Sequence, residues 1–433
     1  MLPDCRFNTD PYSIPQFDLT AGEVENLYSQ LNGFHGQFSA CFSRSEPREN
    51  FFNYMVGQFS PIERKSIEPM ALNIENAKVR AMQFFISDVH WEEGKILQIY
   101  HNMIKDDMGD PDGILIIDES GIVKKGNESA GVARQYCGNI GKVENCQVGV
   151  YVAYASRHGY CLVACRLFVP EIWFTDEYAD KRKRCRFPEG LTFKTKPEIA
   201  VELLEEIVKS TQIPFRFVVA DSVYGNSPVF RRAVDGLPYV AYLVGMPNKT
   251  RFWLRRPGIC KRGYNYRGEQ KTKSILRNGE DPPLTFDSFA KNLNDFFWYR
   301  RTVSEGTKGP IEYEFTKRQI VLARDGLPDE DVWLIVRRSI GDSPTYSYFI
   351  SNAMGSTRLK VFVWLSGIRW AIEQCFEEAK SELGMDHYEV RKWPGWFHHM
   401  ITTMLAHFFL WHIKIRLGKK STSSYSIPST IFA

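Results

Sequence analysis

Two apolar runs, each closed by an aspartate, constrain this chain more than any other feature. Ile114–Ile117 leads into Asp118-Glu119-Ser120-Gly121, and Phe215–Ala220 leads into Asp221-Ser222-Val223-Tyr224-Gly225-Asn226. An apolar run bounded by polar residues and glycine is the pattern of a central strand. An acidic side chain at the end of such a strand is expensive to half-bury without a counter-ion. A single aspartate there is commonly a helix N-cap or a turn residue. Two of them invite a search for a third carboxylate.

That search leads to a helix predicted near residue 370. Its apolar residues Val361, Leu365, Ile368, Ile372, Cys375, Ala379 and Leu383 form one stripe at helical spacing. With Arg369 as zero and about 100° per residue, Glu373 falls at about 40° and Lys380 at about 20°. The trio borders the buried stripe, where a cleft can form. Glu378 points about 180° away and Glu377 lies off to the side at about 80°. Taken alone, Glu and Lys at this spacing are more often a solvated ion-pair face worth a few tenths of a kcal/mol per pair. The two upstream aspartates shift that balance.

Three carboxylates suit a hard cation. Mg²⁺ prefers oxygen ligands and keeps several waters. Two such ions about 3.5–4 Å apart can activate a water or 3′-hydroxyl and stabilise the leaving oxygen of a phosphodiester.

The pattern resembles the bacterial insertion-sequence transposases of the DDE type, which have an RNase H-like catalytic core. One large group carries a third motif Tyr-x2-Arg-x3-Glu-x6-Lys, and Arg369-x3-Glu373-x6-Lys380 matches three of its four letters. Ser366 stands where the group has tyrosine, which puts that DNA contact in doubt but not the glutamate. Gly384-Met385-Asp386-His387-Tyr388-Glu389-Val390-Arg391 is also similar to the group. So are Gln135-Tyr136-Cys137-Gly138, Gly141-Lys142 and Asn145-Cys146-Gln147-Val148-Gly149. The resemblance runs from about residue 30 to about residue 412. It implies that Asp118, Asp221 and Glu373 bind two Mg²⁺ ions, for which Mn²⁺ can substitute. It implies phosphate contacts for Arg369 and Lys380. Lys124, Lys125, Arg134 and Lys142 are weaker candidates for DNA contact. The implied partners are double-stranded DNA, as element ends and target, and a second copy of the chain in the DNA complex.

The chain has 433 residues, 43% hydrophobic and 14% aromatic, enough for a sizeable core and two or three domains. A net charge of +4 is too mild to argue for nucleic acid by itself. Local runs say more. Lys181-Arg182-Lys183-Arg184-Cys185-Arg186 is one, and reads most simply as a turn. From Lys249 to Lys273, Arg251, Arg255, Arg256, Lys261, Arg262, Arg267 and Lys271 interleave with Phe252, Trp253, Tyr264 and Tyr266. Cations among aromatics suit phosphate neutralisation with base stacking, and equally a solvated basic loop. Nine cysteines without a CxxC pair argue against a disulfide framework or zinc ribbon and for a reducing cytoplasm, with nucleoid association expected of a bacterial transposase. No secretory signal pattern and no membrane span is predicted.

The predicted fold class is α/β. An RNase H-like core, a mixed sheet with flanking helices, is interrupted by a β-rich insertion and preceded by a helical domain. The boundaries expected are a flexible terminus over 1–18, a helical DNA-binding or dimerisation domain over 19–108, and the first part of the core over 109–246. The insertion follows over 247–357, then the second part of the core over 358–418 and a mobile tail over 419–433. Within the core, Gln147–Ala155 and Cys161–Phe168 read as a hairpin, Pro197–Lys209 as an amphipathic helix, and Tyr239–Val244 as a strand. That order places Asp118 on the first strand and Asp221 at the end of the fourth. In the insertion, Trp253, Trp298 and Trp333 are candidates to stack on a base, Trp298 foremost, although a core tryptophan is the commoner case. The last segment, Trp393–Arg416, reads as a core-packing helix with histidines on its surface.

A DNA transposase acting by two-metal phosphodiester chemistry is the predicted function. Its competitors are an RNase H-like nuclease without strand transfer and a non-catalytic DNA-binding descendant. A carboxylate-pair glycosidase fits the flanking Arg and Lys less well.

Overall fold

The computed structural model describes residues 21–210, 212–261, 274–306 and 309–418. The expected terminus and tail lie outside them, as do Arg262, Tyr264, Tyr266, Arg267 and Lys271 of the basic stretch. Five helices come first: α1 (Ala21–Gly36), α2 (Ser45–Phe59), α3 (Ile67–Leu72), α4 (Val79–Ser87) and α5 (Glu93–Met108). Strands β1 (Ile114–Val123), β2 (Ala133–Cys137), β3 (Lys142–Ser156) and β4 (Gly159–Phe168) follow, then α6 (Ala179–Arg184) and α7 (Lys196–Ser210). Next are β5 (Phe217–Ala220), α8 (Ser222–Gly225), α9 (Pro228–Asp235) and β6 (Ala241–Met246). The β-rich segment comprises β7 (Arg251–Trp253), β8 (Ile259–Lys261), β9 (Ser274–Leu276), β10 (Leu284–Thr285), α10 (Phe286–Lys291), β11 (Tyr299–Gly306), β12 (Gly309–Arg324), β13 (Leu327–Arg338) and β14 (Tyr346–Ser351). Helices α11 (Leu359–Ile368), α12 (Trp370–Ser381) and α13 (Trp393–Gly418) close the chain. This is the mixed α/β class, with antiparallel strands, then a helix, then a parallel strand pair, in the order expected of an RNase H-like core.

The chain divides into two compact units. One runs from Arg216 to Arg369; the other holds the residues up to Phe215 and those from Trp370. In the second, β1, β3 and β4 form an antiparallel meander, with β2 added on the far half of β3. The meander follows from alternation. Val148, Val150 and Val152 project to one face of β3, and Tyr151, Ala153 and Ala155 to the other. Both faces are covered, so both sets are buried. Helix α7 covers one face with Ile199, Leu203, Leu204 and Ile207. Because β2 is an additional short strand, Asp221 follows the fifth strand rather than the fourth.

Helix α13 is the hub of this unit. It touches α2, α4, α5, α12 and β4, and Trp396, Met400, Ile401, Met404, Leu405 and Phe408 are all buried. A helix apolar on nearly every side must be enclosed. Phe34, Phe38, Phe42, Phe51, Phe85 and Trp91 interlock on the helical layer beside it, with ring centroids 4.7–6.3 Å apart. The expectation of surface histidines is wrong here. His398, His399 and His407 are buried. Each has a specific partner: His398 Nδ1 meets the Ile86 carbonyl at 2.7 Å, His399 Nδ1 meets the Tyr54 hydroxyl at 2.7 Å, and His407 Nε2 meets Glu378 at 2.8 Å. Sequence pattern did not distinguish polar side chains that face water from those that find buried partners.

In the other unit, β5 and β6 are parallel, and β14 continues the sheet antiparallel to β6 through Tyr348↔Met246, Phe349↔Gly245 and Ile350↔Val244. Strands β13, β12 and β7 follow in turn. The β-rich segment is thus joined edge to edge to β6 as one sheet. Among the described residues no helix is long and apolar enough to cross a membrane.

Two predictions concern this framework. A Cβ on Gly225 would lie 2.0 Å from the Gly245 carbonyl oxygen. Gly225→Ala should therefore cost about 1–3 kcal/mol, read as a lowered midpoint in urea denaturation. The second concerns acid. Burial holds His399 far below its usual value, to about 3, only partly offset by the Met385 carbonyl. The unfolded chain then binds a proton at this site that the folded chain refuses, so stability falls as pH drops from about 6.5 towards 3, by at most about 1.4 kcal/mol per unit. His399→Gln should flatten that slope in denaturation curves taken between pH 7 and pH 4.

Candidate active site

Asp118 sits inside β1, not at its end. The strand continues five residues further, to Val123. Ile114–Ile117 are fully buried and Asp118 is half-buried, its Oδ1 accepting the Glu119 N–H at 2.8 Å. The two faces of β1 can be told apart. Glu119 reaches Lys196, at the start of α7, at 2.6 Å, so the α7 face carries Glu119. Asp118 therefore points to the opposite face. Its direct cross-strand partner there is Tyr151, whose ring meets Phe376 of α12 at 5.1 Å. Asp118 and α12 thus occupy the same side of the meander.

Helix α12 buries Ala371, Ile372, Cys375, Phe376 and Ala379, leaving Glu373 exposed and Lys380 half-buried. Glu373 and Lys380 are seven residues apart and fall within about 20° of one another. Arg369 does not share this helix. Arg369 closes α11 in the other unit with helical backbone angles (φ −57°, ψ −27°), and α12 opens at the next residue. Two residues before Arg369, Gly367 packs so close to β11 that a Cβ there would lie 2.4 Å from Val303 Cγ1. Within α12 itself the shared face is that of Glu373 and Lys380. Glu378, on the far side of α12, accepts from the Tyr160 hydroxyl at 2.8 Å and meets His407 at 2.8 Å. These contacts set how α12 is rotated about its axis.

The segment after α12, singled out by resemblance, is structural in its contacts. The Tyr388 hydroxyl donates to Gln147 at 2.7 Å, and His387 Nδ1 accepts the Lys65 N–H at 3.0 Å. Lys124 donates to the Tyr388 carbonyl at 2.8 Å and lies 3.4 Å over the Tyr388 ring. Burial pulls the Lys124 ammonium down to about 8, with Asp386 and Glu389 opposing. Burial also lowers Lys380, opposed by Asp386. Lys125, Arg134 and Lys142 are exposed, Lys142 beside Glu144 at 3.5 Å.

Asp221 follows β5 directly and caps α8, its Oδ1 accepting the Val223 N–H at 2.9 Å. It lines a cleft of about 410 Å³ with Ser222, Asn248, Arg337, Ser347, Ser366 and Arg369. Ser366 is nearly buried and donates to the Val363 carbonyl at 2.8 Å. Arg337 escaped sequence reasoning. The available signal was a cation closing the apolar run Val332–Val336.

Trp298 is only 7% exposed, with the Arg338 guanidinium 4.3 Å over its ring, so it is not open to a base. Its neighbours Phe296, Phe297 and Tyr299 are exposed instead. Trp253 is buried as well.

The structure therefore groups Asp118 with the helix of Glu373 and Lys380 in one unit, and Asp221 with Arg369 in the other. Among the described residues, no three His, Cys, Asp or Glu side chains form a metal-holding group. The donor chemistry of the three candidates is all carboxylate oxygen, which suits a hard divalent ion.

Comparison with known proteins bears on the class. The family model described as "DDE superfamily endonuclease" matches residues 37–310, a span that includes Asp118 and Asp221 and stops short of Glu373. A probable transposase for insertion sequence element IS701 from Microchaete diplosiphon is 26% identical over 348 residues, 79% of this chain and 77% of its own length. Among solved structures, piggyBac transposase in a synaptic complex with hairpin DNA aligns with 88% of this chain and 69% of its own, at 10% identity and a TM-score of 0.44. The NurA nuclease of Sulfolobus solfataricus aligns with 76% of this chain and 96% of its own, at 8% identity and a TM-score of 0.24. With more than half of its length matched by that family model, this chain belongs to the DDE superfamily endonucleases.

Proposed function

We propose that this chain is a DNA transposase that cuts the ends of its element and joins the 3′-hydroxyls to target DNA. The observation that carries this reading is the placement of Asp118 on the side of the β-meander covered by α12, the helix that presents Glu373 and Lys380. Membership of an endonuclease family and similarity to an insertion-sequence transposase support it. Asp118, Asp221 and Glu373 are assigned as ligands of two Mg²⁺ ions. When bound, the ions supply electrostatic stabilisation to the attacking and leaving oxygens of the phosphodiester. The carboxylates fix where that charge sits. Arg369 and Lys380 neutralise phosphate charge beside the scissile bond. A desolvated ammonium such as Lys380 gains more from an incoming phosphate than a fully hydrated one. Lys125, Arg134 and Lys142 are exposed and follow the DNA backbone from the surface, whereas Lys124 serves mainly to hold Tyr388. Residues 19–108 are assigned to element-end recognition or dimerisation, and residues 247–357 to holding DNA beside the core. Two ends are joined in one event, so a homodimer on DNA is assigned, acting in the cytoplasm at the nucleoid.

The test is cleavage and strand transfer on a labelled duplex carrying the DNA that flanks the gene, with Mg²⁺ or Mn²⁺. Wild type should nick and join in a metal-dependent way, and Asp221→Ala should reduce both to background. Nicking without joining would replace the transposase reading with a nuclease. Binding without cutting by the wild type would replace it with a DNA-binding protein. In the same assay Arg369→Ala should slow cleavage by about 10²–10³-fold, the usual loss when one preorganised charge at a transition state is removed.

A further inference from the structure

Arg337 and Arg338 are neighbours on β13 and face opposite sides of the sheet. Arg338 is fully paired: Glu314, its cross-strand partner, and Asp295 each accept from it at 2.8 Å. Arg337 has no such partner. Among the described residues no carboxylate lies within salt-bridge distance of it, and its side chain donates only to the Ser347 hydroxyl, at 3.3 Å. Its guanidinium is held in place by rings, 4.6 Å from Tyr313 and 5.6 Å from Phe349. A guanidinium has five N–H donors, so this one is fixed in position with most of its donors unused by the described residues.

It is also fixed in a telling place. Arg337 lines the same cleft as Asp221 and Arg369. The charged residues on those walls are one carboxylate and two guanidiniums; every other lining residue is neutral. Burial depresses the Arg337 pKa; the Tyr313 phenol opposes that, and the charge of Arg369 adds to it. A planar fork held against aromatic rings is well suited to two oxygens of one phosphate.

We propose that Arg337 grips a backbone phosphate of the DNA strand that enters the Asp221 cleft, forming with Arg369 a two-guanidinium clamp. The inference rests on the DNA-cleaving reading for the identity of the anion. It gives the β-rich segment a defined task, which is to deliver one rigid cation to the cleft from a strand.

The test uses the full chain, the same flanking duplex and EDTA, so that binding is measured without cutting. Dissociation constants are taken over a range of KCl for the wild type, Arg337→Gln, Arg337→Met and Arg337→Lys, with thermal melting to check folding. Arg337→Gln should weaken binding about tenfold, as expected for one charge-assisted contact, and lower the slope of log Kd against log salt by about 0.9. Arg337→Met keeps the aliphatic stem against the rings and should lower the slope equally. It decides the matter if the glutamine variant fails to fold. Arg337→Lys should keep the wild-type slope. A folded Gln or Met variant with wild-type affinity and slope overturns the clamp. That result with a wild type that still cuts leaves the transposase reading intact. A lowered slope with a wild type that never cuts supports the phosphate contact and overturns the cleavage reading.

Discussion

A carboxylate set into an otherwise apolar strand is the constraint on which the rest of this molecule turns. Ile114–Ile117 force β1 into a meander covered on both faces, and Asp118 is carried in with them. A charge in that position needs compensation from ligands or cations, or it destabilises the fold. The sheet solves half of this by sorting the charges. Glu119 goes to the α7 side, where Lys196 neutralises it, and Asp118 goes to the α12 side. Alternation along a strand, the simplest rule in β structure, thus separates the carboxylate paired with Lys196 from the candidate metal ligand.

The same division of labour appears on α12. Its buried stripe and the Glu378 contacts to Tyr160 and His407 fix the rotation of the helix, and Glu373 is left on the exposed side. The histidines of α13 contribute to this rigidity because they are enclosed and hydrogen-bonded. In the other unit Asp221 is placed by a short strand and two close glycines, Gly225 and Gly245, which let the β5–α8 turn lie against β6. In both units the candidate carboxylates depend on backbone packing that tolerates little added volume.

Much of this was legible in the residues. The apolar runs located β1 and β5, alternation located β3 and β4, and a clean amphipathic pattern located α7 to within a residue. The family resemblance pointed to Asp118, Asp221 and Glu373 through motifs rather than through any local energetic signal. What escaped sequence reasoning shares a physical cause. The continuation of β1 through Ser120 and Gly121, the burial of Trp298 and of the α13 histidines, and the lack of a carboxylate beside Arg337 among the described residues are all set by what packs against them from distant parts of the chain. Periodicity reports the face a residue occupies on its own element and is blind to the partner that face meets. Arg337 and Arg338 make the point within one dipeptide, since only the fold shows that Arg338 has two carboxylates and Arg337, among the described residues, none.

We propose that Asp118, Asp221 and Glu373 hold the same metal ions. This is tested most directly by loading the protein with Fe²⁺ in place of Mg²⁺, adding ascorbate and peroxide, and mapping where the locally generated radicals cut the polypeptide. Cuts are expected to cluster near residues 118, 221 and 373, all suppressed together by excess Mg²⁺. Cuts confined to one compact unit, or cuts that Mg²⁺ does not suppress, would contradict it.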